Sequence, residues 1–272
     1  MISNRTRGYK TEAVVLRHIP LGEADRLLTI YALDLGKVRC VARGVRRIKS
    51  RLSGHIQPLN RISLSLTEGR NLDIVTEAEA INVYPAMHND LFKLSAAMFL
   101  AELVDGFSEE RSPSMPIYRL LTDSLDHIET ANNPEQLIRY TQTRILDLSG
   151  FGPELHQCVI CQTTLEPSQH SFSRLEGGIV CPSCRSESEE TLTSISLSAL
   201  KVFRFFQREP SDKAMKLLLN PETLSNLERI LDGYTRFLLE RDMKTTEFLD
   251  LVSSRRIRSP IPNTDITSRS DE

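Results

Sequence analysis

Apolar residues alternate with polar ones along the first 80 positions and recur every three or four positions beyond them. The alternation is clearest in RISLSLT, where Ile62, Leu64 and Leu66 face a core while Arg61, Ser63 and Ser65 face away, as in a half-buried strand. Similar runs at Thr11 to His18, Asp25 to Ala32, Lys37 to Ala42 and Asn71 to Glu79, each bounded by Gly, Pro, Asn or Asp, bring the expected strands to five. Asp34, Leu35 and Gly36 suit a hairpin between the second and third. Glu68, Gly69, Arg70 and Asn71 can turn the fourth into the fifth. Five short strands are the size at which closure into a barrel removes exposed edges, so a five-stranded OB-fold is the leading expectation and an open sheet the alternative.

From about Ala86 the period lengthens to that of a helix. Leu91, Leu94, Met98, Ala101 and Val104 form one stripe, widened by Phe99 and Leu103, with Asn89 or Asp90 as cap. A second helix is predicted from Pro116 to about Thr130, burying Ile117, Leu120, Leu121, Leu125 and Ile128. A third follows Pro134 and ends near Gly150, where glycine can adopt a left-handed cap. SLSALKVFRFFQ and PETLSNLERILDGYTRFLLERD give two more, with a shorter one at Ser211 to Leu219. The expected class is α+β multidomain: an OB-fold barrel over residues 1–82, then an α-helical domain over 83–252 with a four-cysteine zinc module inserted at about 154–188. An aperiodic tail at 253–272 reads as disordered.

Four of the five cysteines create that module. Cys158 and Cys161, then Cys181 and Cys184, form two CxxC pairs separated by residues 162–180, the spacing of a zinc site. Two cysteines three apart on a tight turn present both sulfurs to one ion, and two such knuckles complete a tetrahedron with no open position, so the expected Zn²⁺ is structural. Gly177 and Gly178 would permit the return into the second knuckle, and His156 and His170 flank the site as spare ligands. A redox dithiol is the competing reading, but it lacks the βαβ setting such chemistry uses. Cys40, among apolar neighbours, reads as a small core residue.

Charge divides the chain in the same way. Residues 1–80 carry 14 Lys and Arg against 8 Asp and Glu, net +6, whereas the remainder carries 20 against 28, net −8. The excess peaks in KVRCVARGVRRIKSR, where Lys37, Arg39, Arg43, Arg46, Arg47, Lys49 and Arg51 occur without an acid. That pattern suits phosphate contact along a barrel face, with a solvated loop as the ordinary alternative. Tyr31, on the preceding strand, is either a stacking platform for bases or a packed strand residue. Arg17 and Arg61 either extend the same face or are ordinary outward strand residues. No nucleotide-binding, metalloprotease or serine-hydrolase motif occurs, and the pairs Glu109/Glu110 and Glu189/Glu190 read as solvated charge, so no enzymatic activity is expected. The polar start and the absence of a long apolar run predict a cytoplasmic protein without a membrane partner.

The string DRLLTIYALDLGKVRCVARGVRRIKSRLSGHIQPLNRISLSL, then LDIVTEAEAI, a helix with AELVD, and RILDLSGFGPELHQCVIC leading into the first knuckle resemble the bacterial recombination mediator family RecO, in the same order over most of the chain. The resemblance implies an OB-fold followed by a helical domain with the zinc module. It also implies a RecF-pathway protein for DNA repair and recombination that binds single- and double-stranded DNA and anneals complementary strands. Its implied partners are RecR and single-strand-binding protein, with RecF and RecA beyond them. The matching positions for DNA are the basic residues of Lys37 to Arg51. Because single-strand-binding protein docks an acidic, apolar tail on the family's helical domain, Lys201, Arg204, Phe206 and Arg208 are candidates for that contact, with an ordinary amphipathic helix as the alternative. A zinc-ribbon transcription or translation factor, or an interaction scaffold, are the competing functional classes.

Overall fold

Alternation builds the first region as expected. The computed structural model describes residues 8–131, 133–187 and 192–258. Strands β1 (Gly8–Leu21), β2 (Asp25–Ala32), β3 (Gly36–Ala42), β4 (Arg61–Thr67) and β5 (Asp73–Asn82) pair in the order β1-β2-β3-β5-β4 and close through β4 and β1. Only the β3–β5 pairing is parallel. Ile62, Leu64 and Leu66 are buried inside with Ala13, Val15, Leu28 and Ile30, and the intervening residues of β4 stay half-buried. Cys40 is part of this core, and burial pushes its thiol up to about 12.

One side of the barrel is not solvent surface. Along β1, residues 13–16 are buried without alternation, because Val14 and Leu16 leave the barrel interior and join Tyr31 and Leu59 in a second, larger core shared with the helices. A strand buried on both faces loses its period of two. The segment after the second helix reinforces the junction: Arg111 N–H donates to Lys37 O (2.9 Å), and Ser112 runs so close to Gly36 (φ +68°) that a Cβ there would overlap Ser112 O. Gly36 thus answers both a left-handed turn and a close approach. Gly36→Ala is expected to cost about 2–4 kcal/mol, from the left-handed backbone and the overlap together, read as a lower urea midpoint with an unchanged slope.

The helices are α1 (Pro85–Asn89), α2 (Leu91–Phe107), α3 (Met115–Thr130), α4 (Glu135–Leu148), α5 (Leu197–Arg208), α6 (Ser211–Ala214), α7 (Pro221–Leu239) and α8 (Lys244–Arg258). Asp90 caps α2, its side chain accepting from Phe92 and Lys93 N–H (2.9 and 3.1 Å). The buried side of α2 keeps Phe99, Ala101, Leu103 and Val104 of the expected stripe but not its first half. Phe92, Ala96, Phe99, Leu100 and Leu103 are buried, whereas Leu91 and Met98 are exposed and Leu94 is half-buried. This helix lies against α1, α3, α4, α8 and the barrel, so its covered arc is wide and centred elsewhere. α6 is shorter than expected, and α7 stops at Leu239 with Glu240 left-handed (φ 52°).

The largest departure is α8, which includes residues 253–258 of the expected tail. Glu102 organises its start by accepting from Lys244 N–H, Thr245 N–H and the Thr245 hydroxyl (2.7–3.1 Å). Leu249 and Val252 are then buried. Residues 259–272 of that tail and the Glu189/Glu190 pair lie outside the described residues. Between α4 and α5 a three-stranded sheet, ordered β7-β6-β8, is built from β6 (His170–Ser173), β7 (Gly178–Val180) and β8 (Thr193–Ile195).

Candidate metal centre and nucleic-acid interface

The small sheet brings the two CxxC pairs together. Glu154 begins the first knuckle by accepting from His156 and Gln157 N–H (2.6 and 3.1 Å), and Cys158 N–H donates to Thr163 O (2.9 Å). Val159 N–H reaches Ile179 O (2.9 Å), which ties this loop to β7 and hence to Cys181. A Cβ on Gly178 would lie 2.6 Å from Glu154 O, so glycine permits the approach of the two knuckles. The second knuckle turns through a 3-10 segment, Pro182–Glu187, with Cys184 N–H on Cys181 O (3.2 Å).

All four Sγ atoms lie within 4.8 Å of one another, and Cys161 and Cys181 are 3.8 Å apart. A tetrahedral zinc with ~2.3 Å bonds needs sulfurs about 3.8 Å apart, so the donor set fits the ion. The thiols are already differentiated. Hydrogen bonding from Thr163 draws Cys161 down to about 6. Burial opposes ionisation of Cys158, but N–H groups of Cys181, Cys161 and Ile160 outweigh it and lower the thiol. Cys184 is pushed up, first by its hydrogen bond with Cys161. Neither flanking histidine joins the cluster: His156 is exposed, and His170 is buried with Nε2 against Glu166 O (2.8 Å).

The seven basic residues separate into two groups. Lys37 is half-buried, its ammonium on Asp105 O (2.6 Å) and Asp105 Oδ1 (3.5 Å), and so is committed to the barrel–helix junction. Arg39 pairs with Glu110 (2.5 Å) at the same junction. Arg43, Arg46, Arg47, Lys49 and Arg51 are exposed on the β3–β4 connection, and among the described residues none of them is ion-paired. Arg46 fixes this connection to the β1–β2 turn, donating from its backbone to Ala24 O (2.9 Å) and from Nη1 to Gly22 O (3.0 Å). Asp25 accepts from Gly44 N–H (2.7 Å), holding the end of β3 in place.

Beside these cations runs a groove of about 330 Å³ walled by Leu21, Asp25, Val41, Arg43, the 69–72 turn and Ile74. It therefore lies between the β1–β2 and β4–β5 turns at the end of β3, where OB-folds hold oligonucleotides. Exposed Arg70 on its wall reads from sequence only as a turn residue. The signal lies in the predicted strand order, because an OB barrel brings those two turns to one side.

Several expected positions are corrected. Tyr31 has no exposed surface: it faces out of the barrel but onto the helices, its hydroxyl toward Ser114 O (3.4 Å), so it cannot stack on a base. Arg17 pairs with Asp105 (2.8 Å) and Arg61 with Glu12 (2.5 Å), so neither extends the cationic face. On α5, Phe206 is fully buried edge-on to Tyr140 (5.6 Å between ring centres), and Arg204 is held by Leu155 O (2.5 and 2.8 Å). Only Lys201 and Arg208 of that group are exposed, and Arg208 pairs with Glu209 (2.9 Å). No described helix is long and apolar enough to cross a membrane.

Comparison with known proteins agrees with this architecture. The family model for the Recombination protein O N terminal matches residues 7–84, and that for the Recombination protein O C terminal matches residues 88–247. The chain is 36% identical over 246 residues to the DNA repair protein RecO of Roseiflexus sp. (strain RS-1), covering 90% of this chain and 86% of that one. It is 34% identical to the protein of that name from Dehalococcoides mccartyi (strain ATCC BAA-2266 / KCTC 15142 / 195), over 90% and 96% of the two chains. A third, from Desulforudis audaxviator (strain MP104C), is 35% identical over 89% and 96%. With both family models in sequence order and relatives matched over nearly their whole length, the chain belongs to the RecO family of DNA repair proteins.

Proposed function

We propose that the chain is a non-enzymatic recombination mediator of the RecF pathway. It binds single- and double-stranded DNA, anneals complementary strands and, with RecR, helps place RecA on strands coated by single-strand-binding protein. RecF is a further partner. The observation that carries this reading is the set of five exposed cations, Arg43, Arg46, Arg47, Lys49 and Arg51, that have no ion pair among the described residues and sit on a connection fixed beside the barrel groove. Annealing makes and breaks no covalent bond. Two strands repel through their phosphates, and a cationic surface that neutralises both lowers the encounter barrier and releases counterions. Base pairing then supplies the specificity. Residues 1–82 carry the nucleic acid in this reading, while the helical region supplies partner contacts, to which Lys201 and Arg208 remain available. One Zn²⁺ on Cys158, Cys161, Cys181 and Cys184 has a structural role, since four thiolates leave it no open position.

The test is fluorescence annealing of complementary oligonucleotides, bare or coated with the cognate single-strand-binding protein, across a salt series. Protein-dependent, salt-sensitive annealing of coated strands supports the mediator. Salt-independent affinity, or no binding, refutes it. Arg46→Ala with Arg47→Ala is expected to lower the salt slope for single strands by about 1.4 and the affinity by about tenfold, with circular dichroism unchanged.

A further inference from the structure

Phosphate contact alone does not tell an unpaired strand from a duplex, and the barrel lacks the usual means of doing so. The tyrosines of the barrel are Tyr9 and Tyr31, and Tyr84 follows shortly after β5. Tyr31 and Tyr84 are fully buried, and half-buried Tyr9 has its hydroxyl on Asp73. No fully exposed ring is therefore present on the barrel among the described residues to stack on a base.

The cationic connection carries a different apolar group. Its aliphatic residues Val45, Ile48, Leu52, Ile56 and Leu59 are spaced three or four apart, and Leu59 is buried against the helices. Val45 and Ile56 are buried in the barrel core and Leu52 packs against it. Ile48 alone of the five points away and is fully exposed. Its position is fixed by hydrogen bonds on either side: Arg47 N–H donates to Gly44 O (3.1 Å), and Ser50 N–H to Arg47 O (2.9 Å), closing a four-residue turn with Ile48 and Lys49 at its corners. Ile48 thus lies between Arg47 and Lys49 in the chain, on a connection that buried Val45 and Ile56 and half-buried Leu52 hold to the barrel.

We propose that Ile48 is the apolar contact for nucleobase faces, and that it makes this site favour unpaired over paired DNA. The inference rests on the proposed reading of the cations as a DNA site. In a duplex the base faces are stacked and hidden, so Ile48 gains nothing there. In a single strand whose phosphates are held by the flanking cations, a base face can cover the side chain and remove it from water without the cost of unstacking a duplex.

Because the chain contains no tryptophan, Ile48→Trp installs a sole emitter at this point. Its emission is expected to fall on addition of oligothymidylate but not of inorganic polyphosphate or a blunt duplex. Ile48→Ser is expected to weaken binding of oligothymidylate about three- to tenfold, leaving duplex affinity and the salt slope as they were. Equal loss on single strand and duplex, or an indifferent tryptophan while labelled oligothymidylate binds, overturns the role of Ile48 and leaves the cationic site standing. Absence of DNA binding by the unaltered protein removes the site and the inference together.

Discussion

Cys181→Ser is expected to abolish metal binding and to unfold the region around β6, β7 and β8. The unaltered protein should carry about one zinc ion per chain by atomic emission, and the variant close to none. The reason is the scale of the local core: its buried members are Cys158, Val180 and Cys184, with Val159, Leu165, Cys181 and Leu192 packed against them. A cluster in which three of seven residues are thiols buries too little apolar surface to hold the two knuckles together without the ion, and among apolar side chains only Phe172, Ile179 and Ile195 tie the short strands to the larger core. The damage should reach the helices, because Phe172 of β6 packs against Phe203 of α5 and edge-on against Tyr234 of α7, with ring centres 6.5 and 5.4 Å apart. A stability loss on the order of 3–5 kcal/mol is expected, with new protease cleavage between residues 154 and 187. Oligonucleotide binding at low temperature should survive, since no cysteine of the cluster lies in the barrel. A protein that is fully folded and metal-free as isolated would reject the site.

What could be read in the sequence follows from how each signal arises. β4 has the barrel interior on one face and solvent on the other, so its alternation named the inward residues. The CxxC spacing was legible because the chemistry constrains sequence and geometry alike. The face of α2 was legible only in its second half: with Ser95, Ala96, Ala97 and Ala101 interleaved among larger apolar residues, the helix is apolar around much of its circumference, and periodicity cannot say which neighbours will cover it. Tyr31 failed for a related reason. The sequence around it left open a stacking platform or a packed strand residue, and the choice of the second depends on where α2 and α3 pack. α8 escaped because much of what orders its start is supplied from a distance, by the carboxylate of Glu102 on α2. Among the basic residues, the cluster is legible but not the division between paired Lys37 and Arg39 and the free cations, since Asp105 and Glu110 come from the far side of the junction.

Arg139→Ala should destabilise the helical region by about 3–5 kcal/mol, a large effect for a charged residue. In LIRYTQTRILDL the polar residues suggest a solvated helix face, yet Arg139, Thr141, Gln142 and Thr143 are all buried. They are tolerated because they are satisfied. Nη1 of Arg139 donates to Asp232 (2.7 Å) and to Gln142 Oε1 (3.0 Å), and Nη2 donates to Glu228 (2.6 Å). Gln142 donates in turn to Asp232 (3.1 Å) and to the Thr235 hydroxyl (3.0 Å), and the ring of Phe99 lies 5.9 Å from the guanidinium. This network joins α4 to α7. Truncation to alanine leaves a cavity and takes the compensating cation away from Glu228, Asp232 and the nearby Asp250. Burial already raises the pKa of Glu228 while Arg139 lowers it, and Asp250 is raised by burial and by Asp232. Without the guanidinium both should rise further, so the folded variant favours the protonated acids. A carboxyl whose folded pKa lies above its unfolded one loses stability as pH rises and regains it as pH falls. The deficit of Arg139→Ala should therefore be largest near neutral pH and shrink toward pH ~5, and adding Glu228→Gln with Asp232→Asn should recover part of it at neutral pH. Urea titrations at the two pH values measure both effects. A deficit under about 1 kcal/mol, or one indifferent to pH, would mean that the helices hold together without this buried charge and that its acids remain hydrated.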